Sequence, residues 1–379
     1  GATFTAAGAQ SHSVGGSFLA STSASFSSAN STFTFAATTT GKTITPQSSS
    51  FYNITFNGTG GNWAFQGGNA TSSNNFTITA GTVTLPTGTT TVGSSFSNTG
   101  GTFMHNNGVV ALTSTATGKD IRTNGSSFYS LYVNGSGGGW TFQDAHATTS
   151  NNFIIVAGSV TLVSGTTTIG SSFDNQGGTV THSSGGMRFT ATAHGKVIRA
   201  GGSNLNSVTL DGAGGGWRFL DTNVTLANNF IVALGSTTLP TGTLTVGGSF
   251  INQSTFEHAS GTVRMNATVP GKSVTASSTK FHNLTFDGLG GGWTVTDSAT
   301  TTGNLSLTTG SAFTLTSGRS FEVGGQFANA MGSATTWTGT TLFLNGATST
   351  TVSAKTAGAE LYGTLLVGAN EDVVMWNSS

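Results

Sequence analysis

Three histidines occupy one column of this sequence: His105 in "FMHNN", His182 in "VTHSS" and His258 in "FEHAS". A histidine column invites a metal reading, because imidazole nitrogen is a standard zinc ligand. Two sets of aspartates recur as regularly. Asp144, Asp221 and Asp297 each follow a tryptophan by four residues, and Asp211 and Asp287 each precede one by six. Carboxylates brought together at turns could hold a hard cation such as calcium, or share a proton in glycoside chemistry. Whether either chemistry is available depends on what places these side chains in space.

The positioning element is an internal repeat, which has to be read before anything else. Trp63, Trp140, Trp217 and Trp293 recur at a near-constant interval of about 77 residues, each behind a glycine string such as Gly137-Gly138-Gly139. Gly58, Gly135, Gly212 and Gly288 keep the same interval at the "NG" or "DG" corner before each string, as do Phe96, Phe173, Phe250 and Phe327. Trp376 opens a fifth tryptophan position. The corners are expected to use the tolerance of Gly, Asn and Asp for positive φ, with Asn62 replacing a glycine on that ground. The tryptophan then fills the space left where coils crowd together.

A shorter step lies within the repeat. Phe56, Phe76, Phe96, Ala116 and Val133 advance in steps of roughly 20 residues, the last one shorter, and each is followed seven positions on by another strand-like position. Tandem β-sandwiches have no need of such a sub-period, whereas a solenoid repeats it coil upon coil. Segments such as "GGTVTH" and "GKVIRA" alternate β-branched or aromatic residues with polar ones, so each coil holds about three short strands. The expectation is all-β: a single elongated right-handed parallel β-helix (β-solenoid) over residues 1–379, with coils of about 20 residues and four coils per super-repeat of about 77 residues. The super-repeats run approximately 18–95, 96–172, 173–249, 250–326 and 327–379. The right-handed form is favoured because no six-residue beat of a left-handed hexapeptide helix is present.

Stacking decides the chemistry. At about 4.8 Å per coil, histidines four coils apart are roughly 19 Å from one another, too far to share an ion. They read as turn residues, and the aspartates read as caps on local backbone, with calcium the one weak metal expectation and no other cofactor. No two acidic residues lie one coil length apart in the chain, so no carboxylates are expected to stack on neighbouring coils. No catalytic residue is assigned, and a polysaccharide-active enzyme is disfavoured. Threonine runs such as Thr89-Thr90-Thr91 raise ice binding, which is disfavoured because they recur once per unit rather than once per coil.

Composition agrees with a neutral structural chain. Charged residues make up 6%, with 12 basic and 12 acidic side chains cancelling, and 57 residues are glycine. That argues against a nucleic-acid partner. The 26 phenylalanines in alternating patterns argue for an ordered core. Cysteine is absent, and no apolar stretch reaches the roughly 18 residues of a membrane span. The chain opens on Gly1 with neither an initiator Met nor a signal peptide, and is expected to be a processed or excised segment.

The string "SSFYSLYVNGSGGGWTFQD", residues 126–144, and its copies resemble the long Gly/Thr/Asn-rich bacterial surface proteins read as right-handed β-helices, including adhesin stalks and passenger regions. The resemblance covers essentially the whole chain and concerns architecture. It implies an extracellular or cell-surface location and roles in attachment, reach or fibre building, and transfers no catalytic residue.

Neither end carries a recognisable cap, and the chain is close to five whole units. Uncapped coils in nearly matching phase would let one subunit continue the next, so the expected partner is a second copy, in a head-to-tail homopolymer of rods of about 19 coils, roughly 90 Å each. The alternative is an adhesin or carbohydrate-binding β-helix with a glycan partner, for which Tyr52, Tyr129 and His282 fall in one column beside Phe51, Phe128 and Phe281, alternation putting one of each pair inward and the other outward. The fifth unit departs most, from Leu361 to Trp376, and its Glu371-Asp372 pair is expected to mark a modified interface.

Overall fold

The computed structural model describes residues 3–20, 25–346, 350–354, 362–369 and 373–377. The protein is all-β, its parallel strands stacked as a β-solenoid of about 16 turns. The described registers are parallel, which sets tandem antiparallel sandwiches aside. Among the described residues the only helical element is a 3-10 turn, Gly332–Ala334, and no helix is long and apolar enough to cross a membrane. The chain divides into two compact units, Gly1–Gly186 and Met187–Ser379.

In the first unit, alternation makes the strands. In Thr32–Phe35, Phe33 and Phe35 are buried while Thr32 and Thr34 face outward. Burying a phenylalanine ring contributes about 2 kcal/mol, and a β-strand presents every second residue to one face. Three stacks result. The first carries His12, Phe33, Ile54, Phe76, Phe96, Ile121 and Phe142 one above another. The second carries Lys42, Trp63, Val83 and Phe103. The third carries Ala70, Thr90, Val110, Leu131, Phe153 and Phe173. Rings meet face to face where coils align, as in Phe76 and Phe96, with centroids 5.1 Å apart and planes at 5°.

The second unit is built the same way. Val208, Phe230, Phe250, Val274, Val295 and Leu315 form one stack. Trp217, Thr237 and Phe256 lie in a second. Val224, Leu244, Val263, Leu284, Leu305 and Phe327 form the third.

These registers correct the coil count. The first stack climbs from His12 to Phe142 in six steps, the step from Phe96 to Ile121 being the longest. The mean coil is therefore about 22 residues, longer than the step read from the sequence, within the ordinary range for a solenoid. From Ile54 the first stack climbs three coils to Ile121, and the equivalent Leu131 lies two faces further round, so each repeat of about 77 residues holds about three and two-thirds coils rather than four. Ala116 and Val133 are not successive rungs, because Val133 stands over Leu112. Equivalent residues consequently change stack. Ile54 belongs to the first stack, while Leu131, its equivalent in the next repeat, belongs to the third. Within the second unit, Val208 and its equivalent Leu284 are separated in the same way.

Candidate functional site

The residues that the repeat preserves are where function should be sought, and the glycine–tryptophan element is the largest of them. Trp63 is fully buried, and its indole lies against the backbone of Gly58, Gly61 and Gly81. A Cβ on Gly61 would stand 2.6 Å from Trp63 Cη2, and one on Gly81 2.7 Å from its Cζ3. Such contacts are unattainable, so the glycines exist to let the indole slide between successive coils. Trp140, Trp217 and Trp293 are buried in equivalent cradles formed by Gly138 and Gly158, Gly215 and Gly235, and Gly291 and Gly310.

Two expectations about this element need correction. Positive φ falls at Gly60, Gly137, Gly214 and Gly290, two positions after the "NG" or "DG" glycine. Gly58, Gly135, Gly212 and Gly288 are required instead by close approach, since a Cβ there would collide with the carbonyls of Ala37, Ser114, Ala191 and Ala267. Asn62 likewise is not among the positive-φ residues and pairs with Thr82 just after a register shift in the strand. Phe96, Phe173, Phe250 and Phe327 are buried in the core. Of Trp376 only the strand Val373–Asn377 is described, and Leu361, Glu371 and Asp372 lie outside the described residues.

The aspartates that follow the tryptophans cap backbone on the coil below. Asp144 Oδ2 accepts from Thr123 N at 2.6 Å and Oδ1 from Asn124 N at 3.2 Å. Asp221 does the same for Ala200 and Gly201, and Asp297 for Ala276 and Ser277. Each carboxylate thus closes the positive end of a turn on its neighbour, a charge-assisted bond of roughly 1.5–3 kcal/mol when shielded from water. Asp211 and Asp287 pair with the guanidinium groups of Arg188 and Arg264.

The histidines are turn residues. The Nδ1 atoms of His105, His182 and His258 accept from the backbone N–H two positions on, at Asn107, Ser184 and Ser260. An accepting Nδ1 leaves the proton of the neutral ring on Nε2. Among the described residues no three His, Asp or Glu side chains gather as a cation site. His258 stacks on His282 at 5.4 Å between centroids. Partial burial, and secondly the neighbouring His282, hold the His258 pKa below its ordinary value, while Glu257 opposes them. Phe51, Phe128 and Phe281 point inward, and Tyr52, Tyr129 and His282 are half-exposed beside them.

One preserved column escaped sequence reasoning. Asn98, Asn175 and Asn252 are fully buried and Asn329 nearly so, one in each successive repeat. Asn98 Nδ2 donates to Thr123 O at 2.8 Å and Gly101 O at 3.1 Å, while its Oδ1 accepts from Gly101 N at 3.0 Å. Asn252 repeats the arrangement with Ala276 and Ser254. The constant place of these asparagines, two positions after each repeat phenylalanine, was the available signal.

No family model matches the chain, and neither a curated protein nor a solved structure is similar to it. The class defined is therefore that of the architecture, a repetitive parallel β-solenoid protein.

Proposed function

We propose that this chain is a non-enzymatic structural protein, a subunit of an extracellular or cell-surface fibre or stalk of the kind its repeats resemble among bacterial surface β-helices. One observation carries the reading: the side chains that the repeat preserves are engaged in holding coil to coil. Tryptophans fill glycine cradles, asparagines bridge buried turns, and aspartates cap the coil below. The rotation of the repeat supports it as well, because equivalent side chains are distributed over the stacks rather than aligned on one reactive or adsorbing face.

End-to-end joining of copies follows from the same chemistry. Backbone ladders and aromatic stacking that seat one coil on the next would seat a coil of a second copy equally well, a heterologous contact that propagates without closing. Electron microscopy of the purified protein over a concentration series tests this. Filaments that lengthen with concentration and diffract at about 4.8 Å along their axis are expected. Particles that remain single at every concentration would remove the assembly and leave a stalk.

A further inference from the structure

The second unit carries charged side chains at outward positions that are neutral in the first two repeats. On the outward side of the stack that holds Trp217, Arg218, Thr238 and Glu257 occupy the same position in three consecutive coils. Lys196 lies one coil below, beside Trp217, and His194 lies over Gly216, where a Cβ would stand 3.0 Å from the imidazole Cγ. Together they line a shallow groove of about 340 Å³. The equivalents of Arg218 in the first two repeats are Ala64 and Thr141, those of Glu257 are Met104 and Thr181, and those of His194 are Thr40 and Thr117. In a chain with only 12 basic residues, three neutral outward positions have become ionisable in one place.

The cations there are not consumed internally. Arg188 and Arg264 are held by aspartates, whereas Arg218 and Lys196 make no ion pair or side-chain hydrogen bond among the described residues. Among the described residues Glu257 accepts only a long bond from Thr238 Oγ1, at 3.4 Å. Along the stack, Arg218 and Glu257 are two coils apart, about 10 Å. A ligand suited to this strip presents a planar anion to the guanidinium and ammonium groups, and hydroxyl donors to Glu257 further along. Polyphosphates and nucleic acids, with few free hydroxyls, would bring anionic oxygens to Glu257 without a donor for it, whereas a uronic-acid chain keeps ring hydroxyls beside each carboxylate.

We propose that this groove binds a uronic-acid segment of an acidic polysaccharide, with Arg218 and Lys196 on a carboxylate and Thr238 and Glu257 on ring hydroxyls. The site is independent of end-to-end assembly.

Calorimetric titration of the full chain with the tetrasaccharide of galacturonic acid tests it, with a neutral dextran oligosaccharide and dextran sulfate as comparators. Saturable binding of the tetrasaccharide is expected, with none for dextran. Arg218→Thr, which installs the residue of the preceding repeat, should lower affinity about tenfold or more. Lys196→Gln should weaken binding too, and it decides the matter should the first variant misfold. Lys119→Gln, at the equivalent place one repeat earlier, should leave affinity unchanged. Absence of binding, equal binding of dextran, or affinity that survives both Arg218→Thr and Lys196→Gln would overturn the proposal. Dextran sulfate binding that exceeds the tetrasaccharide and rises in Glu257→Gln would overturn it in favour of unspecific charge attraction.

Discussion

Trp140 Nε1 donates to the carbonyl oxygen of Ser94 at 3.0 Å, a bond that ties together residues 46 positions apart. The indole of Trp63, equally buried in an equivalent cradle, finds no partner for its Nε1 among the described residues. The two tryptophans therefore differ in energy though not in role. Trp140→Phe should destabilise more than Trp63→Phe by about 1–2 kcal/mol, because only the first change strands an acceptor. Urea unfolding of the two variants measures the difference, and equal losses would show that the bond contributes nothing net.

The glycine cradles make a second contrast. Gly138→Ala would place a Cβ 2.9 Å from Trp140 Cη2 and against the carbonyl of Ser114, whereas at Gly118 an added Cβ has no neighbour within 4 Å and meets only an unfavourable φ of +73°. Gly118→Ala is expected to lose about 1 kcal/mol, and Gly138→Ala about 3 kcal/mol or more. Thermal midpoints that fall equally would contradict the cradle.

The aspartate caps are testable one at a time. Asp144→Ala frees the N–H groups of Thr123 and Asn124 and should destabilise by about 1–2 kcal/mol, with Asp144→Asn retaining part of the effect. Amide exchange should accelerate at Thr123 and Asn124 in the alanine variant. Unchanged protection there would show that solvent replaces the carboxylate at no loss.

Acidification should act through His258. Its pKa is lowered in the folded protein, chiefly by burial and then by His282, so the unfolded chain takes up its proton first as pH falls. Its contribution to stability is thus present above the ordinary histidine value and declines as pH drops from that value toward the folded pKa. An NMR titration should find His258 below the ordinary range and moved upward in His282→Asn. Titration above that range would reverse the sign.

The parallel solenoid was legible in the sequence because burial imposes a period of two within strands, and stacking imposes a longer period on the residues that must meet. The number of coils per repeat was not. The repeat interval fixes where equivalents fall along the chain, but the coil length depends on turns, and the long step from Phe96 to Ile121 carries extra turn residues that leave no mark on the core pattern. The tryptophans and repeat phenylalanines announced themselves by size and rarity. Asn98 and its equivalents did not, since asparagine is common on the outside of this chain, and their constant place after each repeat phenylalanine marks a position without telling that it is buried. The charged groove was equally obscure, because His194, Arg218 and Glu257 are scattered in sequence and become neighbours only through the register.

The fractional number of coils per repeat has a bearing on how such a gene can grow or shrink. Duplicating one copy would swing every downstream outward residue to a different flank, and deleting one would swing it the other way. Only changes of three copies at a time would restore the original facing. A lineage that adjusts the length of this protein is thereby also choosing the direction in which its distal surface looks.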